Sequence, residues 1–388
     1  MTTHPLDPEI SREMIDLRRH LHRRPELSNE EHETQKIIRA RLEAAGFGDV
    51  QDIAGTGLML DIVGGGGPSN RKIAIRADID ALPIEETSGE TFTSEKPGIM
   101  HACGHDAHTA MVFATALQLQ KQRDKFRGTV RLIFQPAEEA EPLGGRRVVE
   151  GGLIDDVDGV IGIHVDPSLE TGRIAVAAGT YTLACDIFDI TVNGVGTHAA
   201  MPEKGIDALA AAVTIAQQLG QIVTRERNAY APLVVAVTAL HAGTAHNILP
   251  GRATMMGTIR SGSEETRQLA HRRVKEIAEA AALMHRVTVD AKVTRGDVAV
   301  INDPEMVDLI REAGTATGGE VLNLPGWTPG DDFGFYSEKK PGVYFRLGIR
   351  NEALGSVHPL HHSSFRLDEA AMPLGAGTLT AAALKFLE

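Results

Sequence analysis

Apolar residues recur at helical spacing near the start of the chain. Ile10, Met14, Leu17 and Leu21 mark one face over residues 9–24, and Pro25 ends the run. Residues 30–45 repeat the pattern with Ile37, Ile38 and Leu42 and stop at Gly46. Three near-continuous apolar runs follow, at 72–76, 129–134 and 159–163. Such runs read as strands buried on both faces of an α/β sheet. Each leads into polar residues: Asp78 and Asp80, the stretch from Gln135 to Glu139, and His164. That is the end of a strand where α/β folds place their sites. Residues 108–121, with Ala110, Met111, Ala114, Leu117 and Leu119, predict a helix. The four glycines at 64–67 precede Pro-Ser-Asn and read as a flexible turn, not a phosphate loop.

The texture changes near residue 180. Residues 186–192 alternate apolar and polar, as in a half-solvated antiparallel strand. A helix at 205–225, strands at 232–240 and 252–260 and a helix at 263–284 complete a compact α+β pattern. Past residue 300 the α/β texture returns, with a helix at 304–316 and a strand at 342–347. The expected architecture is therefore an α/β domain with a mixed sheet, formed by 1–180 and 296–388. A smaller α+β domain of ferredoxin-like order interrupts it at 181–295. No internal repeat is visible.

Composition narrows the function. A chain of 388 residues with 42% hydrophobic content suits two packed domains. A net charge of −13 argues against a nucleic-acid partner. No stretch approaches 18 consecutive apolar residues, so no membrane span is expected. The opening Met-Thr-Thr-His-Pro-Leu-Asp-Pro has neither a basic start nor an apolar core, so no export signal is expected. Two cysteines cannot build a disulfide framework, which fits a reducing, cytoplasmic setting. Cys185 reads as a buried strand residue.

The segment Met100-His-Ala-Cys-Gly-His-Asp-Ala-His108 concentrates metal-ligand chemistry. Cys103 and His105 are two apart, so on extended backbone both would face one side. Three further segments supply donors: the adjacent pair Glu138 and Glu139, His164, and either His361 or His362. Thiolate, imidazole and carboxylate together suit zinc or its neighbours. The donors exceed one tetrahedral site, so two ions fit better than one. Hydrolysis at such a site needs a carboxylate to take the proton of the attacking water, and one of the two adjacent glutamates can do so while the other binds metal.

These motifs occur in a recognisable order. Arg18-Arg-His-Leu-His22 with Pro25-Glu26, Arg76-Ala-Asp-Ile-Asp-Ala-Leu-Pro83 and Met100-His-Ala-Cys-Gly-His-Asp106 come first. Phe134-Gln-Pro-Ala-Glu-Glu139, Gly196-Thr-His-Ala-Ala-Met-Pro202, Asn247-Ile-Leu-Pro-Gly251 and Gly257-Thr-Ile-Arg260 follow. As a set they resemble the M20 metallopeptidase family, in its amidohydrolase branch. That branch includes hippurate hydrolases, N-acyl-amino-acid deacylases, indole-acetyl-amino-acid hydrolases and aminobenzoyl-glutamate hydrolases. The resemblance covers nearly the whole chain and implies cleavage of the amide bond of an N-acyl amino acid or related conjugate. It implies two divalent ions (manganese, zinc, nickel or cobalt) held by Cys103 as a bridge, His105, Glu139, His164 and a C-terminal histidine. The family register of Leu-His, three residues, then an aromatic selects His361, with Leu360 and Phe365 in place. Glu138 takes the role of general base, and Asp80 that of a carboxylate steadying a ligand imidazole. The inserted domain would mediate a homodimer and act as a lid, with His198 reaching the partner's site. Asn247 and Arg260 would bind substrate.

Three positions depart from the family pattern: Asp331 in Gly330-Asp-Asp-Phe333, Asp166 after Val165, and Tyr181. They bear on substrate identity. The rival readings are a dipeptidase or aminopeptidase of the same family, and a metal-binding interaction protein without turnover. A catalytic base at Glu138 would have no purpose in the latter. The acyl group, the amino acid and the native metal are not encoded in any motif.

Overall fold

A computed structural model of the chain describes residues 6–327 and 329–388. The first five residues, which carry much of the export-signal expectation, lie outside that range. The two amphipathic patterns form helices Pro8–Arg23 and His32–Ala44. Asp7 accepts from the Glu9 amide and caps the first, whose Pro8 sits where a missing N–H costs nothing. Ile10, Met14, Leu17 and Leu21 are all buried.

The apolar runs form one eight-stranded mixed sheet. Its order is Gln51–Ile53, Gly57–Val63, Thr129–Gln135, Lys72–Asp78, Gly159–Glu170, Gly342–Arg350, Arg173–Ala175 and Glu320–Leu322. The four central strands are parallel to one another. Ile75, Leu132, Ile161 and Phe345 are fully buried, which explains the absence of alternation in their sequence. Fully burying such a side chain contributes about 1.5–3 kcal/mol. Strand Gly159–Glu170 continues seven residues beyond its expected end at 163, so His164 lies within it rather than at its tip.

The chain divides into two compact units. One comprises residues 1–181, 301–326 and 335–388; the other comprises 182–300 with 327–334. The expected split put all of 296–388 in the first unit. The structure instead groups 327–334 with the second, where Gly330 packs beside Asp297 and Cys185.

The second unit holds a four-stranded antiparallel sheet of Leu233–Ala242, Arg252–Ser261, Ala184–Asn193 and Thr288–Asp297. Cys185, expected to be buried in its strand, is half-buried there. Read from the last of these, the strands occur fourth, first, third and second in the chain. Helices Ala208–Gln221 and Glu264–His285 share its core, with Ile215, Leu219 and Val274 against Phe188, Ile190 and Val192. Among the described residues, no helix is long and apolar enough to cross a membrane.

Candidate metal centre

Helix His105–Lys121 begins at His105, three residues before its expected start. Gly104 precedes it at φ 88°, and a Cβ there would lie 2.5 Å from Val165 Cγ2. Cys103 and His105 therefore do not lie on extended backbone; a left-handed glycine and a helix start turn them together. Cys103 Sγ lies 3.4 Å from His164 Nε2. The donor atoms of Cys103, His105 and His164 all fall within 4.8 Å of one another, and all three residues are buried. His164 donates from Nδ1 to its neighbour's carbonyl, Val165 O, at 2.7 Å, which leaves Nε2 as the ligand atom.

Glu138 and Glu139 follow the strand Thr129–Gln135. Gln135 is tied down by Arg76 Nε at 2.9 Å and the Tyr336 hydroxyl at 3.0 Å. Both carboxylates approach His105 Nε2, Glu138 at 4.0 Å and Glu139 at 3.9 Å. Asp80 links the two segments: Oδ1 lies 3.2 Å from His105 Nδ1, and Oδ2 accepts from the Glu139 amide at 3.0 Å and the Ser28 hydroxyl at 2.6 Å.

His361, at φ 61°, donates its amide to Ala102 O, and its Nε2 lies 3.2 Å from Glu139 Oε1. Cys103, Glu139 and His361 form a second converging set. His362 points elsewhere: its ring stacks on His358 with centroids 4.6 Å apart, and its Nδ1 accepts from the Ser364 amide.

The electrostatics suit a cation. The carboxylates of Asp78, Asp80, Glu138 and Glu139 all lie within 4.0 Å of a His105 ring nitrogen. Burial, then Glu139, Glu138 and Asp78, push the Cys103 thiol well above its ordinary range. Burial alone would lower His105, but Asp78, Asp80 and Glu139 hold it up at about 10. Burial and the neighbouring His108 keep His164 well below the usual imidazole range. His105 Nε2 and Glu139 Oε1 are buried and face the shared space without forming a hydrogen bond. Buried polar atoms that converge without bonding one another are the arrangement a metal ion completes.

Sequence reasoning placed Asp78 at a strand end and His108 in the metal-ligand segment without giving either its partner, and it did not reach Ser28 or Glu31; all four are buried or half-buried supports of these donors. The Asp166 departure is an ion pair: its Oδ2 meets Arg346 Nη1 at 2.8 Å, and Arg346 Nε donates to the Tyr181 hydroxyl at 3.0 Å. These three residues brace strands of the first unit.

In the second unit, His198 lies on a short ribbon, Thr197–His198 paired with Ile248–Leu249. Asn247 O accepts from the Ala199 amide at 3.0 Å, so Asn247 sits beside His198, and both are exposed. Arg260 pairs with Cys185 near the far end of strand Arg252–Ser261. That is the opposite end from Asn193, which leads into the ribbon, so this unit alone does not bring Arg260 to His198 and Asn247.

Residues 74–385 match the profile of peptidase family M20/M25/M40. The chain belongs to this family. It is 37% identical over 385 residues to the N-acetylcysteine deacetylase of Bacillus subtilis, covering 98% of this chain and 99% of that one. It is equally, 37%, identical over 382 residues to thermostable carboxypeptidase 2 of Saccharolobus solfataricus, covering 97% and 96%. A crystal structure of a dinuclear metal binding peptidase of the M20 family from Bacillus subtilis superposes with a TM-score of 0.86, at 35% identity over 98% and 99% of the two chains. The chain is thus an M20-family hydrolase.

Proposed function

We propose that this M20 hydrolase is a metal-dependent amidohydrolase that cleaves the acyl–amino bond of N-acyl amino acids or close conjugates. The observation that carries the reading is the approach of both Glu138 and Glu139 to the buried His105. A purely structural metal site needs no second, adjacent carboxylate. Cys103, His105, Glu139, His164 and His361 would hold two divalent ions. When bound, the ions would acidify water and polarise the substrate carbonyl. Glu138 accepts the proton of the attacking water and hands it to the departing amine. Asp80 orients the His105 ring throughout. His198 of a second copy would donate to the oxyanion, and Asn247 and Arg260 would bind substrate, Arg260 through the substrate carboxylate. The deacetylase relative supports an N-acyl substrate; the carboxypeptidase relative supports a peptide as the second reading. A reducing, cytoplasmic location suits a working thiolate.

The test is turnover by protein stripped of metal and reconstituted with manganese, zinc, nickel or cobalt. The substrates are a panel of N-acyl amino acids beside free-amino dipeptides and carboxy-terminal peptide substrates. Release of carboxylic acid from the N-acyl panel is expected. Cleavage of peptides alone would replace the reading, and metal uptake without turnover of any substrate would remove it. Glu138→Gln should retain metal and lose about 10²–10⁴ in kcat.

A further inference from the structure

Two adjacent glutamates on extended backbone point to opposite sides. Here both carboxylates approach His105 Nε2, so the backbone bends at the pair itself, over 138–140, and the chain before it must turn to direct that bend at His105. Ala137 makes that turn: it carries φ 50°, the left-handed region that a residue with a Cβ avoids. It is fully buried, and both its backbone polar groups are held. Its carbonyl accepts from the Gly144 amide at 2.8 Å. Its amide donates to Glu31 Oε1 at 2.7 Å. Glu31 Oε2 accepts from the Thr56 hydroxyl at 2.5 Å.

Glu31 is fully buried and stands at the N-terminus of helix His32–Ala44, where a carboxylate would ordinarily cap the helix. It does not. Glu26 Oε2 takes that part, accepting from the Glu33 and Thr34 amides at 2.8 Å each. Glu31 is left to hold a loop 106 residues further along the chain.

We infer that Glu31 is a positioning residue: its carboxylate pins the left-handed Ala137 peptide and thereby directs the segment that carries Glu138 and Glu139 towards His105. The inference rests on the roles proposed for Glu138 and Glu139 and adds the device that sets their geometry. Reach, not charge, is the property at work. A glutamine keeps the acceptor at the same distance. An aspartate keeps the charge but withdraws it by about 1.5 Å.

The experiment compares Glu31→Gln, Glu31→Asp and the double variant Glu31→Asp with Ala137→Gly. Two quantities are read: kcat and KM on the best N-acyl substrate, and zinc affinity of the metal-free protein by chelator competition. Glu31→Gln should stay within about 3-fold of wild type in both, because the hydrogen bond survives. Glu31→Asp should lose about 10–100-fold in kcat with little change in KM, and about 10–100-fold in zinc affinity. Adding Ala137→Gly should recover a substantial part of that loss, since glycine takes the left-handed conformation unaided. Glycine also relieves the backbone strain at this position, so the melting temperature of each variant is read beside both quantities, and loss of zinc affinity out of proportion to it marks positioning. Wild-type kcat and zinc affinity in Glu31→Asp would overturn the inference, as would Glu31→Gln falling as far as Glu31→Asp. Should the aspartate variant fail to fold, amide exchange at Ala137 in wild type and Glu31→Gln decides: protection in both is expected, and rapid exchange in wild type overturns the brace. Full turnover by Glu138→Gln would instead strike the base assignment and leave the zinc-affinity measurement as the judge of Glu31.

Discussion

His108 Nδ1 lies 2.6 Å from Asp78 Oδ1, and the pair fixes the backbone beside His164. His108 Nε2 accepts from the Val165 amide at 2.9 Å, so the ring proton must sit on Nδ1 and be donated to Asp78. Asp78 is fully buried and also holds Arg76 Nη1 at 2.6 Å. A ligand strand is thereby tied to the helix that begins at His105. His108→Ala strands the Val165 amide, costing about 1–3 kcal/mol. It should also lower metal affinity or activity about 10–100-fold by loosening His164. Calorimetric melting together with metal titration checks both. Unchanged metal affinity in a destabilised variant would limit His108 to the fold.

His361 and His362 separate cleanly. His361→Ala should reduce bound metal and activity together, because it removes an imidazole 3.2 Å from Glu139. His362→Ala, which removes a ring stacked on His358, should keep its metal content. Elemental analysis of the two purified proteins decides. The reverse pattern would exchange their roles.

His198 is exposed on its ribbon, and a second copy can test its role. Glu138→Ala and His198→Ala proteins, each inactive, are mixed and allowed to exchange subunits. If His198 acts across a dimer, one site in each mixed pair joins an intact Glu138 to an intact His198, and activity returns. A mixture with verified exchange and no rescue would rule out action in trans.

Asp186 supplies a pH dependence within the second unit. Burial pushes its carboxyl up, but His271 Nε2 at 2.6 Å, Arg267 and the Gly296 amide overcome this and hold it at about 2, against an ordinary 3.8. The folded value is depressed. Its stabilisation is therefore fully present above about pH 4 and lost as pH falls towards 2. The displacement corresponds to about 2 kcal/mol. Urea midpoints of wild type and Asp186→Asn should differ most at pH 5–7 and converge as pH drops below about 4. A gap that stays constant down to pH 3 would show that the carboxylate is not the source.

Local spacing made much of this molecule readable. The stripe Ile10, Met14, Leu17 and Leu21 and the runs around Ile75 and Leu132 carry their periodicity in consecutive residues, so helices and strands follow without knowledge of neighbours. Motif order carried the family, and the side-chain chemistry of Cys103, His105, Glu139 and His164 suggested a cation. Element limits were less legible. Strand Gly159–Glu170 runs through His164 because its partner Gly342–Arg350 continues beside it, a fact about pairing and not composition.

What only the tertiary structure decided is which polar residues support the site. Glu31 bears the same letter as a solvated glutamate, and nothing in its local sequence marks it as buried; Asp78 and His108 stand in segments the sequence singles out, but the sequence does not pair them. Their partners lie 106 residues away for Glu31 and 30 for the Asp78–His108 pair. A buried carboxylate survives only where packing delivers donors to it, and packing is a property of the folded chain as a whole. The same holds for Ala137, whose left-handed backbone an alanine would not choose alone. The sequence by itself determined the elements, the family and the donor chemistry. The fold decided their aim, because hydrogen bonds across the chain exist only after the sheet and helices have brought their ends together.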